Sequence, residues 1–165
     1  MKRIFLALVL AAIAGGAAAQ ERAPAPTQFV LEETVSLAPA VVLGDTPEGR
    51  RQVIPITGGT FVGRDIRGEV LAGGGDYQLV RSDGSVRVDA EYYLRTDDGV
   101  VIHVHNVGVI YRGPDAKAPY LWASPSFDAP KGRYGWLNQA LFVSQIVPAG
   151  DPQHPAVKIV IYRVG

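Results

Sequence analysis

The sequence predicts an all-β fold, and three observations carry that prediction. Apolar and polar residues alternate with a period of two along most of the chain after residue 28. Turn-forming clusters such as Ser82-Asp83-Gly84 and Asp97-Asp98-Gly99 punctuate the alternation at short intervals. Helical periodicity is confined to a stretch that fits one turn, Arg133 to Gln139.

Taken in order, Phe29, Leu31, Glu33 and Val35 share one face of a first strand, with Val30, Glu32 and Thr34 on the other. Gly44 to Gly49 reads as a loop. Gln52 to Val62 is a strand with a break at Gly58-Gly59, and Ile66 to Leu71 pairs with it across a turn near Arg64-Asp65. Gly73-Gly74-Gly75 interrupts the chain most sharply, before a strand from Tyr77 to Val80. Ser85 to Thr96 is the longest alternating run: Val86, Val88, Ala90, Tyr92 and Leu94 face one way. Asp97-Asp98-Gly99 suits a hairpin, because Asp-Gly tolerates the positive φ such turns need, and Val100 to Arg112 answers as the partner strand. On that partner Val100, Ile102, Val104, Asn106, Gly108 and Ile110 share a face. Gly113 to Pro130 is proline-rich and less regular. Leu141 to Val147 and Val157 to Val164 finish as strands, joined by a loop from Pro148 to Pro155.

Short connections favour a meander over Greek-key crossovers. The final strand is apolar and has no lysine at its centre, so pairing with the first strand would protect its edge and close a ring. The expected fold is a single antiparallel up-and-down β-barrel of about 8–10 strands, lipocalin- or streptavidin-like in architecture.

The first residues read as an export leader. Lys2 and Arg3 precede an apolar stretch from Ile4 to Ile13, and Ala17-Ala18-Ala19 fits a small-residue cleavage site, with the cut expected after Ala19. Residues 20–27 form a proline- and alanine-rich linker, and residues 28–165 the barrel domain. The expected location is therefore periplasmic or secreted, with no stable membrane anchor once the leader is removed. The apolar stretch is short for a bilayer span. Cysteine is absent, which excludes disulfides, thiolate metal sites and a thiol nucleophile. Formal net charge is zero, so nothing marks nucleic acid as a partner. A homo-oligomer is compatible with the sequence, which does not set the oligomeric state.

Several residues carry chemistry, and each has a structural reading beside the functional one. The glycine runs at Gly58-Gly59 and Gly73-Gly74-Gly75 lie between strands with no lysine following, which suits bulges rather than a phosphate loop. His103 and His105 share a strand face but lack a third ligand, and they lie opposite the Asn106 face, so no metal is expected there. Asp97 and Asp98 read as turn residues. Asp76 either braces the turn after the glycines or points into the barrel mouth as a general base or ligand anchor. Asp89 has the same two readings, with Arg87 and Arg95 on its face. Asn106 interrupts an apolar inward face with an amide that needs partners. Tyr134, Trp136 and Asn138 suit a lid that stacks on a planar ligand and suit equally a plug for one barrel end.

Ile54-Pro55-Ile56-Thr57-Gly58-Gly59-Thr60-Phe61-Val62-Gly63 is followed by Gly73-Gly74-Gly75-Asp76-Tyr77. Then come Asp89-Ala90-Glu91-Tyr92-Tyr93-Leu94-Arg95-Thr96-Asp97-Asp98-Gly99, Asn106-Val107-Gly108 and Tyr134-Gly135-Trp136-Leu137-Asn138. This succession, spread over roughly residues 28 to 164, resembles the uncharacterised bacterial and fungal family known as domain of unknown function 3237. The resemblance implies a small antiparallel β-barrel and supplies no established reaction. Members of that family commonly carry tryptophan where this chain has Tyr77.

These readings converge on a barrel whose cavity binds a small, partly apolar molecule, with Asp76, Asn106, Tyr134, Trp136 and Asn138 lining or gating it and no cofactor. An alternative is a cofactor-free lyase, dehydratase or isomerase acting by proton transfer, with Asp76 as a candidate catalytic base. A third is a structural or oligomer-forming barrel with a filled interior.

Overall fold

The computed structural model of the chain describes residues 24–113 and 118–165. The leader, the start of the linker and residues 114–117 lie outside the described residues. Ten strands follow in order: β1 Thr27–Leu37, β2 Val41–Thr46, β3 Gly49–Gly63, β4 Arg67–Val70, β5 Gly75–Val80, β6 Val86–Thr96, β7 Val101–Tyr111, β8 Tyr120–Asp128, β9 Leu141–Gly150 and β10 Pro155–Val164. A 3-10 helix, Gly135–Gln139, stands between β8 and β9.

The strands close into an antiparallel barrel with eight positions around the ring. β1 pairs β10 on one side and the C-terminal half of β3 on the other, so first and last strands meet as the apolar character of β10 required. β3 is long enough to serve two rows of neighbours. Its first half pairs β2 and β5, and its second half pairs β1 and β4. β4 and β5 thus share one ring position between β3 and β6, and the Gly73–Gly75 run lets the chain step from one to the other. Gly59 marks where β3 changes neighbours: its φ is +149°, and a Cβ there would stand 2.1 Å from the Thr34 carbonyl oxygen of β1.

Inside, Leu31, Leu94, Ile102, Val104 and Ile161 are fully buried. Each such side chain contributes about 1.5–3 kcal/mol by leaving water. Outside, Lys158 Nζ donates to Glu32 Oε1 at 2.7 Å across the β1–β10 seam.

Three local expectations are corrected. The segment Gly44 to Gly49 is mostly strand, with only Pro47 and Glu48 left as the turn between β2 and β3. Gly113 to Pro130 contains a full strand, β8, whose Ala123, Pro125 and Phe127 point inward. Pro125 cannot donate to a ladder, and the β8–β9 pairing comprises only Trp122↔Gln145 and Ala123↔Ser144, with Ser124 Oγ donating to the Phe142 carbonyl beyond. Finally, the β1–β10 register shifts between Phe29 and Leu31. That bulge turns Val30 inward beside Leu31 and leaves Phe29 42% exposed, so the first strand does not keep one strict alternation.

Candidate functional site

The two ends of the barrel are built differently, and the sequence-predicted residues divide between them. One end holds a cavity of about 120 Å³. Its wall is mainly apolar: Val35 and Leu37 from β1, Ile54 and Ile56 from β3, Val88 and Ala90 from β6, Ile110 from β7, Ile146 from β9, and Val157 and Ile159 from β10. Into this wall project Asp76 and Gln78 from β5, Tyr92 from β6 and Asn106 from β7.

Asp76 points inward because the strand period sets it with Gln78 on the barrel side of β5, while Tyr77 between them is exposed. The β5–β6 ladder skips the residues between Asp76↔Ala90 and Leu79↔Arg87. In that gap the Asp89 backbone N–H donates to Asp76 Oδ1 at 2.8 Å. Gln78 Nε2 donates to Asp76 Oδ2 at 2.6 Å, and Gln52 Nε2 donates to Gln78 Oε1 at 2.8 Å. Burial pushes the Asp76 carboxyl above its ordinary value; the Gln78 and Asp89 hydrogen bonds oppose the shift, and the Asp89 charge adds to it. The group is braced in orientation and biased toward holding a proton.

Asn106 is buried, and Ser144 Oγ lies 3.4 Å from its Oδ1, a long hydrogen bond. Asp89 faces the outer side with His105, whose Nε2 donates to Asp89 Oδ1 at 2.7 Å, and with Arg87 NH2 at 2.7 Å from Oδ2. His103 packs its ring 5.1 Å from that of Tyr93. Both histidines therefore lie on the outer face, and among the described residues no group of three metal-ligating side chains forms.

Tyr134, Trp136 and Asn138 stand at the other end, apart from the cavity that Asp76 and Asn106 share. The Tyr134 hydroxyl donates to Asp98 Oδ1 at 3.1 Å, tying the 3-10 helix to the β6–β7 turn. Asn138 zips the same helix to the segment after β8: its Nδ2 donates to the Ala129 carbonyl and its Oδ1 accepts from the Ala129 N–H, each at 2.8 Å. Leu137 is buried, and the Trp136 ring lies 6.2 Å from that of Phe142. The contacts are those of a plug. The grouping of these three with Asp76 in one pocket does not match their placement, because which barrel end a loop reaches depends on register summed around the sheet.

Sequence reasoning passed over Glu33. It is fully buried, and the Tyr92 hydroxyl donates to its Oε2 at 2.6 Å. Burial pushes its carboxyl from 4.5 to about 7, against the Tyr92 hydrogen bond, which lowers it. The available signal was a carboxylate on the face otherwise formed by Leu31 and Val35.

Comparison with known proteins bears on the whole barrel. A family model described as "Protein of unknown function (DUF3237)" matches residues 25–164. A UPF0311 protein of Rhodopseudomonas palustris is 33% identical over 138 residues, 76% of this chain and 90% of that protein. The crystal structure of a conserved protein of unknown function from Rhodopseudomonas palustris matches with TM-score 0.78 at 31% identity, covering 87% of this chain and 100% of the other. A β-barrel-like protein from Acinetobacter baumannii matches with TM-score 0.76 at 33% identity, covering 88% and 100%. A hydroalkoxylation enzyme of Penicillium herquei is 29% identical over 129 residues, 78% of this chain and 79% of that enzyme. Since the matched span runs through every strand from β1 to β10, the chain belongs to the DUF3237 family of proteins of unknown function.

Proposed function

We propose that the barrel takes a small, largely apolar molecule into its open end and moves a proton on it, with Asp76 as the acid–base group. The observation that carries this reading is a braced carboxyl, raised in pKa by burial, facing an apolar cavity of about 120 Å³. A carboxyl so tuned exchanges protons closer to neutral pH than a solvated one, which is what general acid–base catalysis uses. The Penicillium herquei relative adds support. Hydroalkoxylation is the addition of an O–H across a carbon–carbon double bond, a reaction that relocates a proton without net electron transfer.

Acetophenone provides a test, since its methyl protons exchange with deuterium when a base removes and returns them. In D₂O the wild-type protein is expected to speed that exchange. Asp76→Asn should cut the acceleration by about 100-fold while leaving binding in place. Equal exchange by the two proteins overturns the role of Asp76. A second reading, binding without turnover, is favoured by the mainly apolar wall of the cavity, which offers a ligand contact surface and few polar groups. Acetophenone bound without accelerated exchange would select it.

In the same proposal the barrel works outside the cytoplasm after its leader is removed. A mature chain beginning at Gln20, seen by intact mass spectrometry, supports this; a chain retaining Met1 overturns it.

A further inference from the structure

Proton transfer at Asp76 leaves Glu33 unexplained. A fully buried carboxyl destabilises a fold unless it is paired or useful. Glu33 stands between Phe61 of β3 and Ile159 of β10, its register partners, neither of which carries charge. Tyr92 of β6 is the titratable group that meets it, and Lys158 of β10 is engaged with Glu32 on the outer face. Glu33 Oε1 is buried with no hydrogen-bond partner among the described residues. Tyr92 in turn lines the same cavity as Asp76.

The pair therefore has two hydrogen-bonding states. With Glu33 ionised, the Tyr92 hydroxyl is committed to Glu33 and offers the cavity only a lone pair. With Glu33 protonated, its own O–H donates to Tyr92 Oη, and the Tyr92 proton is released to donate into the cavity. Burial pushes Glu33 up to about 7, so the protonated state is well populated near neutral pH.

We propose that protonated Glu33, acting through Tyr92, sets a hydrogen-bond donor against a carbonyl oxygen of the ligand, so that the molecule handled at this site is a small, mainly apolar carbonyl compound. The inference rests on the proton-transfer reading of the cavity and names its substrate class. Asp76 carboxylate takes a proton from the carbon next to the carbonyl. The C–H electron pair becomes a C=C bond, and the carbonyl π pair moves onto oxygen, where the Tyr92 O–H stabilises it. Return of the proton from Asp76 to carbon restores the carbonyl. Addition of a hydroxyl to a C=C conjugated with such a carbonyl uses the same parts. The hydroxyl oxygen forms the C–O bond, its proton passes to Asp76, and Asp76 delivers a proton to the carbon beside the carbonyl. Neither route needs an oxidant or a reductant. Glu33 is a positioning residue here, and Tyr92 is the group that touches the ligand.

The test compares binding of acetophenone with binding of cumene, which is similar in size and has no oxygen, at pH 5.5 and 8.5. In the wild-type protein acetophenone should bind about tenfold more weakly at pH 8.5, the size of one lost hydrogen bond, while cumene stays constant. Glu33→Gln, whose amide does not titrate, should hold acetophenone equally at both pH values. Tyr92→Phe should lower acetophenone to the level of cumene throughout, which covers the case of a Glu33 variant that does not fold. The inference is overturned if the two probes share one pH profile, or if Glu33→Gln keeps the wild-type profile. If neither probe binds the wild-type protein, the cavity reading itself falls, and this inference with it.

Discussion

The open end of the barrel and the plugged end use the same sheet for opposite purposes. At the plugged end the polar groups are spent on the protein itself: Tyr134 on Asp98, and both amide atoms of Asn138 on Ala129. Leu137, the apolar side chain between them, is buried. At the open end Asp76, Gln78, Tyr92 and Asn106 project into a space that no side chain fills. Aromatic and amide residues in a glycine-containing segment are thus poor guides to the cavity, whereas a polar residue on an otherwise apolar strand face, such as Asn106, does line it. The difference is energetic. A closed end gains stability from packing, and an open end gives some up to keep room and polar groups available.

That contrast can be broken at several points, in decreasing order of expected effect. Leu137→Ala should cost about 2–5 kcal/mol, because it opens a void in a packed end that cannot collapse; chemical denaturation measures it, and a cost under about 1 kcal/mol would mean that the plug bears little of the fold. Glu33→Gln should act in the other direction and depend on pH. The folded chain holds a proton on Glu33 that the unfolded chain releases, so the stability of the neutral form is complete below pH 4.5 and is lost as pH rises to about 7. The variant should match the wild type near pH 4.5 and exceed it by about 3 kcal/mol at pH 8. Asn138→Ala should cost about 1 kcal/mol through its two backbone hydrogen bonds and leave acetophenone binding unchanged. Ala90→Leu should shift stability by less than about 1 kcal/mol, since space already exists for the added atoms, and should abolish binding of acetophenone by occupying the cavity.

The same contrast explains how much could be read from the sequence. Facing direction is local, because the two-residue strand period decides it. The alternation of β6 and β7 is therefore enough to put Val88, Ala90, Tyr92 and Asn106 inside, and the Asp97-Asp98-Gly99 hairpin follows from turn chemistry. Closure by β1 and β10 is also legible, from an apolar last strand with no lysine at its centre. What escapes a reading of the sequence is either masked or non-local. Pro125 and Pro130 make β8 read as irregular, although its inward residues alternate. The Phe29–Leu31 bulge breaks a pattern that strict alternation continues. The end to which the Tyr134–Asn138 segment returns depends on the pairing register of several strands together, and no short stretch of sequence contains that. Glu33 is visible on its face but reads as one more alternating position, since its value depends on Tyr92, fifty-nine residues away in the chain.

The claim that the open end is the functional one is tested most directly by methyl NMR during titration with acetophenone. The account predicts shifts at the methyls of Val35, Ile56, Ile146, Val157 and Ile159, which line the cavity, and unchanged signals from Leu31, Ile66 and Leu137 at the far end. Shifts centred on Ile66 and Leu137, with the cavity methyls unmoved, would contradict it.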